Sequence, residues 1–238
     1  GLGSRLDAID LLRKMPTDYR IEMGLRPLLD SDDLEVRLRI IETLAHRNDS
    51  VLRKFAVNKK FDLILVPSKH KMVYVTQTGW PQIILTGDIN IKRPLTLSTW
   101  DNNLLIKESV DQPTNDTRMN LLDVRYRDEE RNVTYNEKVQ SDLSSFTMFL
   151  AHKQTPEHIA PGLNLSYSRT IGAIHALWQQ EYLNADFKVE QDRLRIAIQR
   201  LASETTYTNR PDFSEPPVIP EDSRFIQSSS PVVLEEQE

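Results

Sequence analysis

Phe61-Asp62-Leu63-Ile64-Leu65-Val66, Met72-Val73-Tyr74-Val75-Thr76 and Gln82-Ile83-Ile84-Leu85-Thr86 are three short apolar, β-branched runs in one stretch of the chain. The last two are joined by Thr76-Gln77-Thr78-Gly79-Trp80-Pro81, which has turn composition. Runs of this length and type read as strands, and hairpin-length links between them predict an antiparallel sheet. Further strands are expected over 94–99, 103–109, 119–127 and 131–139. A polar loop is expected over 110–118, and Asp128-Glu129-Glu130-Arg131 reads as another hairpin end.

Helical periodicity flanks this region on both sides. Before it, residues 5–57 read as helical: Leu6, Ile9, Leu12 and Met15 recur at helical spacing up to a break at Pro16-Thr17-Asp18. A second helix over 19–29 carries Ile21, Met23, Leu25, Leu28 and Leu29. Asp30-Ser31-Asp32-Asp33 is a turn that supplies N-caps and acidic first-turn residues. The next helix puts Leu34, Leu38, Ile41 and Ala45 on one face, widened by Ile40 and Leu44. The pattern Leu-Leu-Asp-Ser-Asp-Asp-X-X-Val-Arg resembles a HEAT-type repeat, in which stacked helical pairs need neighbours to bury their apolar faces. A single pair is therefore expected to rest on the β region or to continue upstream.

After the strands, a helix starts near Asp142 with Leu143, Phe146, Phe149 and Leu150 facing inward. A second, over 166–182, presents Tyr167, Ile171, Ile174, Leu177 and Trp178. A short strand at Phe187-Lys188-Val189 precedes a helix with Leu194, Ile198 and Leu201. From about Ser203 the chain turns to Pro, Ser, Thr and acids without periodicity, a composition that predicts a disordered tail. The expected fold is α+β: a HEAT-like helical hairpin over 1–58, an α+β domain over 59–202 (β-rich at 60–140, helical at 142–202) and a tail over 203–238.

The net charge of −5 and pI of about 5.6 argue against nucleic acid as a partner, since such binders carry a basic stripe. Lys69-His70-Lys71 is too short for one and reads as a solvated hairpin end. No apolar run reaches the roughly 18 residues of a membrane-spanning helix, so no membrane insertion is expected. With no cysteine, disulfides, Cys-ligated zinc and thiol catalysis are excluded, and either redox compartment is compatible. The start Gly1-Leu2-Gly3-Ser4, without Met, reads as the cut edge of a longer protein behind a cloning remnant, so the lack of a signal peptide says nothing of compartment. Four Asn-X-Ser/Thr sequons, at Asn48, Asn115, Asn132 and Asn164, would suit a secreted glycoprotein. In a chain of this size without a disulfide, chance is the better reading.

The search for chemistry yields little. There is no Gly-rich phosphate loop, no Gly-X-Ser-X-Gly elbow and no His-Glu-X-X-His helix. His152, Glu157 and His158 could offer two imidazoles and a carboxylate to zinc, but their spacing around Thr155-Pro156 fits no helical face, and no metal or cofactor is expected. His175 sits in an apolar-patterned helix, where a hydrogen-bonded structural histidine is expected, and His46 sits at a helix C-terminus, where partial positive charge stabilises. Asp32-Asp33 and Glu129-Glu130 fall in turns, without the fixed separation that paired catalytic carboxylates need. The candidate interaction residues are Trp80 and Trp100, next to turns, with Tyr74 and Gln77. A turn Trp can anchor a partner or stack on a sugar, although it more often folds back over its sheet.

Several strings carry a resemblance. They are Phe61-Asp62-Leu63-X-X-Val66-Pro67-Ser68, Val73-Tyr74-Val75-Thr76-Gln77-X-Gly79-X-Pro81-X-Ile83, Phe149-Leu150-Ala151-His152-Lys153-X-Thr155-Pro156-Glu157, Pro161-Gly162-Leu163-X-Leu165-Ser166-Tyr167-Ser168 and Glu190-Gln191-Asp192-Arg193-Leu194-Arg195. Together they resemble the long C-terminal region of flagellar P-ring proteins of planctomycete-type bacteria, over about residues 20–200. The resemblance implies a periplasmic, non-catalytic structural role in the flagellar basal body. It also implies other P-ring subunits or basal-body components as partners and proximity to peptidoglycan. The ring-forming core common to that family is not in this chain, and no catalytic residue transfers. The other expectations are a carbohydrate-binding module using Trp80 and Trp100, a free-standing HEAT-like scaffold, and a hydrolase with metal on the His152–His158 loop.

Overall fold

The computed structural model describes residues 2–109, 121–129, 131–156, 158–193, 195 and 198. The expected loop 110–118, the tail over 203–238, and Glu130, Glu157, Leu194 and Leu201 lie outside them. The named helices and strands all belong to the first of two units, Gly1–Ala197 and Ile198–Glu238.

The architecture is mixed α+β. Three helices, α1 (Leu2–Lys14), α2 (Tyr19–Leu25) and α3 (Leu34–His46), lead into strands β1 (Arg53–Val57), β2 (Phe61–Val66), β3 (Met72–Val75) and β4 (Gln82–Thr86). Strands β5 (Thr96–Thr99), β6 (Leu104–Glu108), β7 (Leu121–Asp128) and β8 (Val133–Gln140) come next. Helices α4 (Leu143–Ala151) and α5 (Tyr167–Gln179) then precede β9 (Asp186–Val189). The expected second helix ends early because Pro27 lies in a 3-10 turn, Arg26–Asp30. The helical expectation also stops short of residue 57, because Arg53–Val57 is a strand. Its left-handed link to β2, with φ of 48° at Asn58 and 56° at Lys59, closes through the Lys60 N–H to the Val57 carbonyl at 2.9 Å.

The first sheet has strand order β1-β2-β4-β3-β9, and it corrects the antiparallel expectation: β2 pairs with β4 in parallel, and β3 pairs with β9 in parallel. The reason lies in the side chains. Strands β2, β3 and β4 are apolar at nearly every position, so both of their faces must be covered and they take the centre. β1, with Arg53, Lys54, Phe55 and Ala56 all exposed, takes an edge. The link 67–71 therefore steps across the end of β4 instead of forming a hairpin. Gly87 sits there at φ 70°, where a Cβ would fall 2.7 Å from the Ser68 carbonyl oxygen. Lys69-His70-Lys71 is part of this crossing: the Thr86 hydroxyl donates to the His70 carbonyl, and the Asp30 carboxylate accepts the Lys69 N–H at 2.8 Å. The second sheet, β5-β6-β7-β8, is the antiparallel meander expected.

Alternation along the central strands divides the interior in two. Ile64, Val66, Met72, Tyr74 and Ile84 face the helical segment and pack with Ile9, Leu25, Leu29, Leu38, Ile41 and Leu44. Leu63, Val73, Val75, Ile83 and Leu85 face the other way, toward the meander, α4 and α5, where Leu104, Ile106, Phe146, Leu150, Ile174 and Leu177 complete a larger core. Arg193, just after β9, holds the helical segment from the far side. Its guanidinium donates twice to Glu35, at 2.8 Å each, and once to Glu42. Burial disfavours its charge, but these two carboxylates outweigh that and raise its pKa.

Helix α4 starts where the Asp142 carboxylate accepts the N–H groups of Ser144 (3.4 Å) and Ser145 (2.8 Å). Burial raises the pKa of this acid, but its hydrogen bonds from Ser145 and Ser144 outweigh that and hold it below the ordinary value of 3.8. Its contribution is thus complete above that value and is lost as pH falls below it. Asp142→Ala should cost about 1 kcal/mol in urea unfolding at neutral pH. The difference between the variant and the parent should shrink as pH drops through the acid range.

Candidate functional site

Trp80, Trp100, Tyr74 and Gln77 do not form one surface. Trp80, 53% exposed, lies in the β3–β4 connection beside Gln77, whose N–H is taken by the Glu190 carboxylate at 2.7 Å. Tyr74 is buried on the helical face of the sheet, so it cannot offer the surface expected of it. Trp100 opens the β5–β6 turn, where it, Asp101 and Asn102 all have positive φ, and its ring meets Tyr126 edge-on at 6.4 Å. It is thus partly folded over the core, the commoner fate of a turn Trp. Trp178, expected inside, is 37% exposed, and it clusters with His175 (5.5 Å) and Phe187 (5.7 Å). His175 is itself exposed and packs on these rings, which differs from the buried hydrogen-bonded role expected.

His152 and His158 do come together, with ring centroids 6.4 Å apart. Among the described residues no cluster of three metal-ligating side chains exists, and Glu157 lies outside them. What the two imidazoles line is an open groove of about 930 Å³. One wall is the face of β1 and β2, through Arg53, Phe55, Leu63 and Leu65; the other is α4 and the segment 158–161. Lys138, Val139 and Gln140 of β8 also line it. The floor is apolar, and Phe55 (39% exposed) and Ile159 (75% exposed) face solvent. The Nε2 of His152 is buried without a hydrogen-bond partner.

The groove owes its shape to how the end of α4 is held. The last carbonyls of a helix have no partner within it. Here the Leu163 N–H donates to Phe149 (3.0 Å), Leu165 to Leu150 (2.8 Å) and Asn164 to His152 (2.8 Å). Gly162 permits this approach, because a Cβ there would fall 2.3 Å from the His152 carbonyl oxygen. The Ala151 carbonyl accepts from Asn58 Nδ2 (3.1 Å) and Lys60 Nζ (3.0 Å). Lys60 also reaches Asn164 Oδ1 and the Leu165 carbonyl, both at 2.8 Å. Burial, with Lys153 nearby, lowers the pKa of this ammonium. All three of its donors are nonetheless used at the negative end of a helix. Lys60 did not stand out in the sequence, where an isolated lysine carries no signal, and Gly162 entered only within a string that carries the resemblance.

No known protein family matches this chain, and no curated protein or solved structure is significantly similar to it.

Lys60→Met should leave the carbonyls of Ala151 and Leu165 short of donors. The expected loss is about 2 kcal/mol in denaturant unfolding. Hydrogen exchange should speed up at Leu163 and Leu165 before it does in β2 and β4.

Proposed function

We propose that this chain is a non-catalytic assembly module, of the kind attached to the flagellar P-ring, and that it works by holding a protein partner. The observation that carries this reading is the apolar groove between β1 and α4, with Phe55 and Ile159 turned outward. Contiguous apolar surface rimmed by polar groups marks protein-interaction sites. The P-ring resemblance adds the setting: the periplasm, close to peptidoglycan, with ring subunits or other basal-body parts as partners. In this reading α2 and α3 are a HEAT-like pair, preceded by α1, and the helices stack on the sheet instead of on further repeats. Their shared core with β2, β3 and β4 favours that view. So do the Arg47 bonds to the carbonyls of Leu12, Met15 and Pro16.

The test is fractionation. A tagged chain, carried on its parent protein in flagellated cells, should copurify with detergent-extracted basal bodies. Phe55→Asp with Ile159→Asp should release at least about nine-tenths of the interaction attributable to this chain, since apolar anchors dominate such contacts. A chain found in fractions free of basal bodies would overturn the flagellar setting. Retention of the double variant at parental level would overturn the groove as the contact.

A further inference from the structure

We infer that the groove receives an extended, acidic-apolar segment of a partner protein, which adds to the free edge of β1 as a sixth strand of the first sheet. The inference rests on the assembly reading and names the occupant. Among the described residues β1 pairs only with β2, which leaves its outer edge with a row of backbone donors and acceptors. Such an edge is a template for another chain. Alternation then decides where the added side chains go. Arg53, Phe55 and Val57 stand opposite Leu65, Leu63 and Phe61, so they share the face that looks into the groove and the larger core. A strand laid beside β1 would turn every second side chain toward Met148, Ile159 and Pro161, which are apolar, and the remaining ones toward solvent.

Charge selects the partner. The described lining residues include Arg53, Lys138, His152 and His158 and no carboxylate. The β1 hairpin itself, Arg53-Lys54-Phe55-Ala56-Val57-Asn58-Lys59-Lys60, holds four cations and no acid. Lys54 is engaged by Asp62 at 3.0 Å, while Arg53 makes no ion pair among the described residues. Two copies of this edge would repel each other, which disfavours self-pairing, whereas glutamates or aspartates between apolar residues match it.

The probe is a fluorescent, end-capped peptide of about ten residues with alternating valine and glutamate, long enough to span the five residues of β1. Its lysine counterpart is the comparison, and both are titrated against the whole chain by anisotropy. The glutamate peptide should bind at least about tenfold more tightly, and its preference should fall with salt. Arg53→Glu should narrow that preference severalfold, and Phe55→Asp should weaken binding about tenfold while the unfolding midpoint stays near the parent's. Hydrogen exchange should slow in residues 53–57 when the peptide is bound. Equal binding of the two peptides, no binding, or binding without protection of β1 would each overturn the inference. So would self-association that the glutamate peptide cannot displace, because the occupant would then be a second copy. If the peptide fails while Phe55→Asp with Ile159→Asp still releases the chain from basal bodies, strand addition falls and the assembly reading stands. If the peptide binds but the chain is absent from basal bodies, the flagellar setting falls and the docking mode stands.

Discussion

Three strands without a polar face govern this molecule. β2, β3 and β4 bury nearly every side chain, and a sheet that is apolar on both sides must be covered twice. The N-terminal helices cover one side, and the meander with α4 and α5 covers the other. Neither cover has an obvious alternative place to bury its own apolar face. A short helical pair would otherwise need neighbouring repeats. In the proposed HEAT-like reading, the central sheet takes the place of those neighbours.

The same constraint explains where the surface opens. Once the double-faced strands occupy the middle, the exposed β1 and the part-exposed β9 take the edges. The end of β9 is tied down: Arg193 and Glu190, just after it, bind α3 and the β3–β4 turn. β1 is tied at its end as well, by Asn58 and Lys60 to the Ala151 carbonyl, but its side chains over 53–56 stay exposed. The end of α4, which passes near it, is held by Lys60 and by the 162–165 segment and not by packing on Phe55. The space left between them is the groove.

Much of this was readable in the chain. The three runs at 61–66, 72–76 and 82–86 are strands within a residue of where their composition placed them, and β7, β8, α4 and β9 follow their predicted spans closely. Pairing was not readable. A hairpin-length link such as 67–71 is compatible with a neighbouring strand or with a step over one, and only the two-sided apolar pattern, taken across all three strands, favours the second. β1 was hidden because Arg53-Lys54-Phe55-Ala56 suits a helix as well as an exposed edge. The site was less legible than the fold. Trp80 and Trp100 drew notice through their residue type, whereas the groove is built from common residues far apart in sequence. Three of the sequons have a backbone reason: Asn48, Asn132 and Asn164 all adopt positive φ, which asparagine tolerates better than most residues.

The chemistry of the open edge argues for selectivity over stickiness. An apolar groove beside an unpaired strand would invite indiscriminate pairing if its rim were neutral. Arg53 stands on the groove face of β1 and Lys59 at its turn, so a neutral or basic strand that approaches must desolvate them without compensation. An acidic strand replaces part of that lost hydration with ion pairs. Exposed pairs of this kind add little affinity individually, so the binding energy must come from the apolar floor. The two features therefore divide the work: Phe55, Met148 and Ile159 supply affinity, and the cationic rim decides which strands can use it.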